Sequence, residues 1–372
     1  MAATIPSEQD VLTALGHIQD PDLGRDVVSL GMIKNLAVGP DGKVAFTFEL
    51  TTPACPVRDR FHSMAEEIVG ALPGVTAVDV KMTSNVRPAF GNRPAAGEML
   101  PGVRQTVAVA SGKGGVGEST VAVNLAVALA RTGARVGLLD ADIYGPSIPG
   151  MTGVHEQPRV VEKPNSKGEL QKRLVPLEAW GIKMMSIGFI AGESTTAMVW
   201  RGPMVSRAIE QMMQDVDWGE LDYLIIDLPP GTGDASLTIG QAIPLTGVTI
   251  VATPQDVAVE IAVKALQMFR QLNVTVLGLI ENMSWFTCSD CGKQHHPFGH
   301  GGAERAAQRL GVPFLGALPL ETQIRVEADK GTPIVVAAPD SEAGQAFAAI
   351  ASQLAARTSI QSFRQLPVLN VR

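Results

Sequence analysis

Short runs of β-branched and apolar residues alternate with longer helical patterns from about residue 104 onward. Each run is four or five residues long, and apolar residues at helical spacing follow it. Strands that alternate with helices indicate parallel crossover connections, and therefore a doubly wound, mostly parallel α/β sheet. The predicted strands are residues 107–110, 136–139, 223–226, 248–252 and 276–280, and the clearest predicted helices are 121–130 and 261–271.

The beginning of the chain has a different pattern and predicts a separate small α+β domain at residues 7–83. Helical spacing and strand-like runs both occur there, but they do not alternate regularly. The strands are expected at 44–50 and 77–82, and a helix is expected between them at 58–72.

The remaining segments complete the predicted organisation. Residues 84–103 are rich in proline and glycine and predict a linker, with an ordered loop packed on the next domain as the alternative. Residues 104–358 form the sheet domain, and 359–372 form a C-terminal tail. Residues 151–200 receive no functional prediction, as either an excursion over the site or a surface loop would fit them.

Composition narrows the class of protein. Hydrophobic residues make up 45% of the 372 positions and aromatic residues only 5%, which suits a parallel sheet under closely packed helices. The net charge of −7 and the lack of basic runs argue against nucleic-acid and membrane partners. No secretory signal is evident, and three cysteines make no disulfide framework. We therefore expect a soluble cytoplasmic protein.

A glycine-rich loop between the first predicted strand of the sheet and the helix after it predicts a phosphate site. Glycines allow successive backbone N–H groups to turn inward around a phosphate, and a helix N-terminus adds partial positive charge. The Ser119 hydroxyl is placed to ligate Mg²⁺. The residues expected around the nucleotide phosphates are Gly112, Lys113, Gly114, Gly115, Val116, Gly117, Glu118, Ser119 and Thr120.

Acidic residues end two further predicted strands. Asp140 and Asp142 follow 136–139, and Asp227 follows 223–226. The carboxyl ends of parallel strands meet at one edge of a sheet, so these carboxylates should face the phosphate loop and help to hold Mg²⁺. One such residue alone would be as well explained as a helix cap. Three motifs in this order indicate a nucleotide site.

Cys288 and Cys291 are separated by two residues, which lets both thiolates reach one metal, and Gly292 permits the turn behind them. The pair alone could be half of a zinc site, a redox pair or half of a cluster site. The redox interpretation is disfavoured because the pair opens no helix of a thioredoxin-like unit. Zinc bound within one chain needs two more ligands, which His295 and His296 are close enough in sequence to supply.

The arithmetic of ligands favours a shared cluster over zinc. A [4Fe–4S] cluster normally takes four thiolates, and two such pairs across the two-fold axis of a homodimer supply them. A cluster held between chains is also easier to release than one enclosed within a chain. We therefore expect a homodimer, with intrachain zinc as the open alternative.

Six ordered motifs give the chain a specific resemblance to a known family. They are GKGGVG-x-ST (112–120), DADIYGPS (140–147), WRGPM (200–204), IIDLPPGTGD (225–234), TPQDVA (253–258) and ENMSWFTCSDCG (281–292). Residues 104–355 thereby resemble the Mrp/ApbC family, which are iron–sulfur cluster carriers among the MinD/ParA-like deviant P-loop ATPases. Residues 7–83, with DPDLGRDVVSLGMI and TTPACP, resemble the small iron–sulfur assembly domain often fused ahead of such ATPases.

The resemblance implies roles for individual residues. Lys113 matches the signature lysine that reaches the nucleotide of the partner subunit in a dimer. Asp142 matches the residue that positions the attacking water, and Asp227 matches the Walker B aspartate. Asn282 matches the residue that recognises the adenine. Asp140 would contact the groups that ligate Mg²⁺ without ligating the metal itself.

The resemblance also implies the activity and its partners. The chain would be an ATPase that uses ATP and Mg²⁺ and carries a [4Fe–4S] cluster on Cys288 and Cys291 of a homodimer. An assembly scaffold would donate the cluster, and apo iron–sulfur proteins would receive it. Nucleotide binding would change the dimer geometry and so bias loading or transfer.

Glu118 departs from the family pattern, which has lysine at this position beside the β- and γ-phosphates. A unit charge 4 Å away contributes ~4 kcal/mol at an effective dielectric constant near 20, and replacing attraction by repulsion doubles the change. We expect the Glu118 side chain to be exposed at the loop–helix junction, so that the fold survives. Hydrolysis of ATP should be weak unless Lys113 compensates.

Cys55 lies in the TTPACP motif of the small domain. It is explained equally well as a small buried apolar residue and, through the resemblance, as an accessory residue in cluster handover.

One further function stays open beside the cluster carrier and the zinc-stapled nucleotide-binding regulator. A positioning ATPase of the MinD/ParA type would need an amphipathic membrane helix or a basic DNA-binding surface. The tail at 359–372 is short and contains Pro367, which makes it a poor membrane helix.

Overall fold

The computed structural model describes residues 4–89, 99–164, 168–191 and 202–364. Several predicted features lie outside these ranges. They are the middle of the predicted linker (90–98), Trp200 and Arg201 of the WRGPM motif, and the last residues of the predicted tail (365–372).

The N-terminal domain is a small α+β unit, as the sequence predicts. Its apolar positions alternate along the central strand, where Val44, Phe46, Phe48 and Leu50 are buried in one core with the inner faces of two helices. Its elements are α1 (Glu8–Leu15), β1 (Gln19–Asp20), β2 (Arg25–Asp26), β3 (Ile33–Val38), β4 (Lys43–Leu50), α2 (Arg58–Gly70) and β5 (Ala77–Ser84).

The rest of the chain forms a doubly wound α/β domain. Its strands are β6 (Val103–Ser111), β7 (Val136–Asp140), β8 (Val160–Pro164), β9 (Leu170–Leu174), β10 (Leu177–Ala179), β11 (Ile182–Ser186), β12 (Leu221–Asp227), β13 (Gly247–Ala252), β14 (Val276–Thr287), β15 (Gln294–His295) and β16 (Phe314–Pro319). Its helices are α3 (Glu118–Arg131), α4 (Ile148–Thr152), α5 (Ile187–Ala191), α6 (Gly202–Gln214), α7 (Asp234–Ala242), α8 (Asp256–Gln271), α9 (Gly302–Leu310), α10 (Thr322–Asp329), α11 (Ile334–Ala337) and α12 (Glu342–Arg364).

The main sheet has the strand order β10-β11-β7-β12-β6-β13-β14, and β16 also pairs with β14. The pairings from β11 to β14 and that of β16 are parallel, while β10 and β15 pair antiparallel at the periphery. One apolar layer packs α3 and α12 on one face of the sheet, and a second packs α6, α7, α8 and α9 on the other. The predicted doubly wound, mostly parallel sheet is therefore confirmed.

The region without a functional prediction, residues 151–200, contributes to this sheet in its described part. The strands β10 and β11 extend the main sheet beyond β7, and β8 and β9 form a separate antiparallel hairpin. Their apolar runs are short and interrupted by charges, so no periodicity marked them as strands. No helix within the described ranges is long and apolar enough to cross a membrane.

The two domains are joined by a buried polar contact at the N-terminal ends of the parallel strands. The Tyr223 hydroxyl, on β12, donates a hydrogen bond to Thr52 Oγ1 at 2.9 Å, and both side chains are buried. Further along, the Gln105 amide donates to the carbonyl of Arg87 and to Ser362 Oγ, both at 2.6 Å. The start of the predicted linker is thus bonded to the sheet domain.

Replacing Tyr223 with phenylalanine is expected to lower the free energy of unfolding by about 1 kcal/mol, since a buried hydrogen bond of this kind is lost. Thermal unfolding of the full chain measures the change. The other tyrosine, Tyr144, is 57% exposed and provides the matched control, Tyr144→Phe. Equal effects of the two substitutions would contradict a role for the interdomain bond.

Candidate nucleotide and cysteine sites

The glycine-rich loop joins buried strand β6 to helix α3, as predicted. Gly117 precedes the helix in the left-handed region, at φ 84°, and a Cβ there would lie 2.4 Å from Asn282 Nδ2. At Gly112 a Cβ would lie 2.5 Å from the backbone of Ile261 in α8. Only glycine permits these two close approaches, so the loop is shaped by its neighbours as well as by its own sequence.

The expectation that Glu118 is exposed is wrong. Its side chain is only 7% exposed, because it folds back beneath the loop instead of projecting from the first helical turn. One carboxyl oxygen forms a hydrogen bond with the Ser111 hydroxyl at the end of β6, and that hydroxyl also donates to the Lys113 carbonyl at 2.9 Å. The other oxygen, Oε1, is buried and bonds to no other described residue.

Asp140, Asp142 and Asp227 lie at the same edge of the sheet, as predicted from the ends of β7 and β12. Asp140 is buried and accepts a hydrogen bond from the Ser186 hydroxyl at 2.8 Å and from the amide of Asp142 at 3.1 Å. Asp227 is fully buried, and neither of its carboxylate oxygens makes a hydrogen bond of ordinary geometry with a described residue. The nearby Ser119 hydroxyl only partly offsets the rise in the pKa of Asp227 that its burial causes.

Burial raises the pKa of each of these carboxyls, and repulsion from neighbouring carboxylates adds to the rise at several of them. Desolvation raises the pKa of Asp140 to about 7 and raises that of Asp142. Desolvation also raises the pKa of Glu118 well above its usual range, with a further increase from Asp227 and Asp142. The pKa of Asp227 is likewise raised well above normal, by desolvation first and then by Asp140. Lys113 is not among the groups that set the pKa of Glu118.

These shifts predict that the apoprotein becomes less stable as pH rises. An acid whose pKa is about 7 when folded and 3.8 when unfolded binds more protons in the folded state between those values, so stability falls as pH increases through this window. In buffer without Mg²⁺, the thermal midpoint should fall by roughly 5 °C or more between pH 5 and pH 8. Glu118→Gln removes a second carboxyl with a raised pKa and should flatten this dependence in part, and an equal slope in both proteins would contradict the raised pKa of Glu118.

Asn282 lies between the loop and a separate cleft. Its amide donates to the Val116 carbonyl at 2.7 Å, and its oxygen accepts the amide of Met283 at 3.0 Å. A cleft of about 490 Å³ opens beside it. The cleft is lined mainly by apolar groups from β14, β16 and the residue after it, α4, α10 and α12, among them Met151, Met283, Pro319, Leu320, Ile324 and Phe347. A flat, largely apolar ring such as a nucleotide base suits such a lining; we call this space the base cleft.

The cysteine pair lies at the tip of an antiparallel hairpin formed by β14 and β15. The Cys288 amide donates to the Lys293 carbonyl and the Gly292 amide to the Cys288 carbonyl, each at 2.9 Å, and Gly292 has φ 67°. Backbone hydrogen bonds from Asp290 and Cys291 lower the pKa of the Cys288 thiol. Cys291 is exposed. The tight turn predicted behind the pair is therefore present, and its amides favour a thiolate.

The histidines considered as zinc ligands are not gathered around the cysteines. His296 Nδ1 lies 2.9 Å from the Ser284 carbonyl, and its ring packs 4.6 Å from that of His300. His295 is exposed on β15. Within the described ranges, no group of three or more His, Cys, Asp or Glu side chains is arranged to hold a metal.

Two carboxylates that support the hairpin were missed by the sequence analysis. Glu281 is fully buried and accepts hydrogen bonds from Ser284 Oγ at 2.6 Å and from the amides of Gly301 and Ala303 at 2.9 and 2.8 Å. Glu342 binds the hairpin stem from α12. A charged residue inside an apolar strand could have drawn attention to Glu281, but no local signal marks Glu342.

Cys55 lies far from the pair. It packs at the edge of the N-terminal core, and burial raises the pKa of its thiol to about 11. Helix α12 shows the separation, since Glu342 contacts the cysteine hairpin while Phe363 packs on the N-terminal core. These two residues are about 30 Å apart along the helix axis. Cys55 therefore cannot share a metal with Cys288 of the same chain in this arrangement.

The fold and the phosphate loop define a P-loop NTPase. The protein-family model ParA, described as NUBPL iron-transfer P-loop NTPase, matches residues 102–355 of the sequence. A second family model, described as iron-sulfur cluster assembly protein, matches residues 8–80. The chain therefore belongs to the iron-transfer P-loop NTPase family, with an iron–sulfur assembly domain ahead of the NTPase domain. The resemblance drawn from the six motifs is confirmed.

Similar proteins cover nearly the whole chain. An iron–sulfur cluster carrier protein from Synechocystis sp. is 48% identical over 94% of this chain and 97% of its own length. A protein of the same name from Escherichia coli is 41% identical over 96% and 93%, respectively. Among solved structures, a nucleotide-binding protein from Archaeoglobus fulgidus in complex with ADP is 38% identical, with a TM-score of 0.53 over 63% of this chain and 89% of that one.

Proposed function

We propose that this chain is an ATP-dependent carrier of a [4Fe–4S] cluster that acts as a homodimer, with hydrolysis impaired by Glu118. The observation that carries the proposal is the hairpin bearing Cys288 and Cys291. It offers two thiols at a preformed turn, one of them exposed, and within the described ranges no other ligand joins them. Two copies of the hairpin would supply the four thiolates that such a cluster takes.

The surface around the hairpin supports association of two copies. Of the ten large apolar side chains that are exposed in the described structure, six lie at the C-terminal edge of the sheet. They are Tyr144, Ile190, Met204, Val257, Phe286 and Phe298. A two-fold axis near this edge would cover apolar surface and bring the two cysteine pairs together. It would also place Lys113, which forms no ion pair with a described residue, near the partner's phosphates.

The residues of the loop fit a Mg²⁺–nucleotide complex. The fully buried carboxylate of Asp227 makes no ordinary hydrogen bond with described residues, and such an oxygen pair is suited to a cation and its bound water. The Ser119 hydroxyl would ligate Mg²⁺, which would neutralise charge on the phosphates. Asp140 would not touch the metal itself but would hold Asp142 in place through the hydrogen bond from the Asp142 amide. The backbone amides from Gly112 to Thr120 would bind the phosphates, with Asn282 and the base cleft holding the adenine.

In hydrolysis, Asp142 would orient a water molecule for attack on the γ-phosphorus. The bond from that phosphorus to the β–γ bridging oxygen would break, and ADP and phosphate would leave. Glu118 would oppose this reaction because a buried acid stands where the family pattern has the lysine that neutralises the phosphates. The binding of ATP and the cluster site would remain, but turnover would be slow.

Cluster transfer would follow from the exposure of the pair. A thiol of an apo iron–sulfur protein could replace the exposed Cys291 as ligand while Cys288 still holds the cluster, and the reverse order would load it from an assembly scaffold. A role of Cys55 in handover would require the N-terminal domain to leave its present contact.

The zinc-stapled regulator is less well supported, because His296 is turned to the Ser284 carbonyl. A positioning ATPase of the MinD/ParA type would leave the cysteine hairpin without a role. Anaerobic reconstitution with iron and sulfide, followed by visible absorbance and metal analysis, tests the carrier. A brown protein with about two iron atoms per chain is expected. A colourless protein with stoichiometric zinc would exclude it.

A further inference from the structure

One carboxylate binds both strands of the hairpin that carries the cysteines. Glu342 Oε1 accepts hydrogen bonds from Trp285 Nε1 at 2.7 Å and from Gln294 Nε2 at 3.0 Å, while Oε2 accepts one from Thr287 Oγ1 at 2.9 Å. Trp285 and Thr287 lie on β14, and Gln294 lies on β15. The stem of the hairpin is therefore held to the first residue of α12.

Neutral donors hold the Glu342 carboxylate, although the Glu321 carboxyl nearby repels it. Its three side-chain donors are neutral, and no lysine, arginine or histidine in the described structure forms a salt bridge with it. Its place at the start of a 23-residue helix favours a negative charge there. Hydrogen bonds to an ionised acceptor are stronger than those between neutral groups, so this single side chain is a firm anchor.

The same part of the molecule forms a wall of the base cleft. The Leu320 amide donates to the Trp285 carbonyl at 2.6 Å, and the Glu321 carboxyl accepts the amide of Ala343. Leu320, Glu321 and Phe347 all line the cleft, and Phe347 lies on α12 little more than one turn after Glu342. The base cleft and the hairpin stem thus share the N-terminus of α12 as a common support.

We propose that Glu342 is a positioning residue that couples the two sites, so that a purine base in the cleft changes the order of the cysteine hairpin through α12. The coupling rests on the proposed function for its biological use, since it would let nucleotide control the hold on a cluster. It needs only contacts within one chain. A base that packs on Leu320, Glu321 and Phe347 would restrict the start of α12, and Glu342 would pass that restriction to the hairpin.

Hydrogen exchange of the full-length, cluster-free chain, with and without saturating adenosine, tests the coupling. Adenosine carries the base but no phosphate, so Glu118 does not repel it. The variants are Glu342→Ala, which removes the acceptors, and Glu342→Gln, which retains one. Glu304→Ala is the matched control, because it removes a first-turn carboxylate from helix α9, which packs on the other face of the sheet.

In Glu342→Ala, the amides of residues 285–295 should exchange about tenfold faster or more, while the rest of the sheet domain is unchanged. Adenosine should slow exchange there severalfold in the unchanged chain, partly in Glu342→Gln and not in Glu342→Ala. A hairpin that ignores adenosine in the unchanged chain would overturn the coupling, as would a full response in Glu342→Ala. Both results are independent of cluster assembly, so a failure of the carrier proposal would be seen separately.

Discussion

Replacing Glu118 with lysine is expected to raise the rate of ATP hydrolysis by about a hundredfold or more. A cation 4 Å from the phosphates contributes ~4 kcal/mol at an effective dielectric constant near 20, and Mg²⁺ and solvent reduce this gain. A hundredfold rate corresponds to about 2.7 kcal/mol, which is within that range. Steady-state release of phosphate from the purified unchanged chain and from Glu118→Lys, at equal Mg²⁺ and ATP, measures the effect.

Glu118 could slow hydrolysis in two ways: the attraction between a lysine and the phosphates is lost, or a charged carboxylate repels the phosphates. The variant Glu118→Gln distinguishes these two effects. Burial raises the pKa of Glu118 well above its usual range, which favours a proton on its carboxyl. If that proton stays when ATP binds, Glu118→Gln and the unchanged chain should hydrolyse ATP equally slowly, and only lysine restores activity. Equal turnover of Glu118→Lys and the unchanged chain would show that the loop does not need a cation at this position.

Replacing both Cys288 and Cys291 with serine is expected to abolish cluster binding. Serine hydroxyls remain protonated at neutral pH, so the two hairpins of a dimer would offer no thiolate to the iron. After anaerobic reconstitution, the unchanged chain should show broad visible absorbance with iron and sulfide in equal amounts. The double variant should be colourless after desalting, and its thermal unfolding should be unchanged because the hairpin tip is exposed.

The third cysteine provides the control for this experiment. Cys55→Ser removes a thiol from the N-terminal domain, about 30 Å along α12 from the hairpin, and should retain the full cluster content. Loss of the cluster in Cys55→Ser with retention in the double variant would reverse the assignment of the ligands.

The parts of the fold that the sequence predicted are those where one local pattern dominates. Strand β12 contains the apolar run 223–226, buried on both faces, and Asp227 follows this run at the edge where a parallel sheet binds its ligands. The edge strands β10 and β11 are short, and charges such as Glu178 and Lys183 interrupt them. The pairing of β11 with β7, and of β10 with β11, depends on tertiary contacts and leaves no periodic signal.

The position of the Glu118 side chain could not be read from its neighbours in the chain. A glutamate in a first helical turn is usually exposed, and that reasoning gave the wrong result here. The carboxyl folds inward because the Ser111 hydroxyl, seven residues earlier, offers it a buried partner. The distance between these two groups depends on the shape of the whole loop, including the tight approach of Gly112 to α8.

Glu342 illustrates the same limit over a longer separation. Its three donors lie 48 to 57 residues earlier in the chain, and no motif joins them. The spacing of Cys288 and Cys291 identifies the cysteine pair in the sequence. The contacts of Glu342 with the hairpin are evident only from the three-dimensional arrangement of β14, β15 and α12.

Native mass spectrometry of the anaerobically reconstituted full chain reports subunit number and cluster content together, so it shows whether two chains share one cluster. We expect a dimer that carries one [4Fe–4S] cluster per two chains, and cluster-free protein when both cysteines are replaced by serine. A monomer that carries a complete cluster, or a monomer with one zinc ion and no iron, would contradict it.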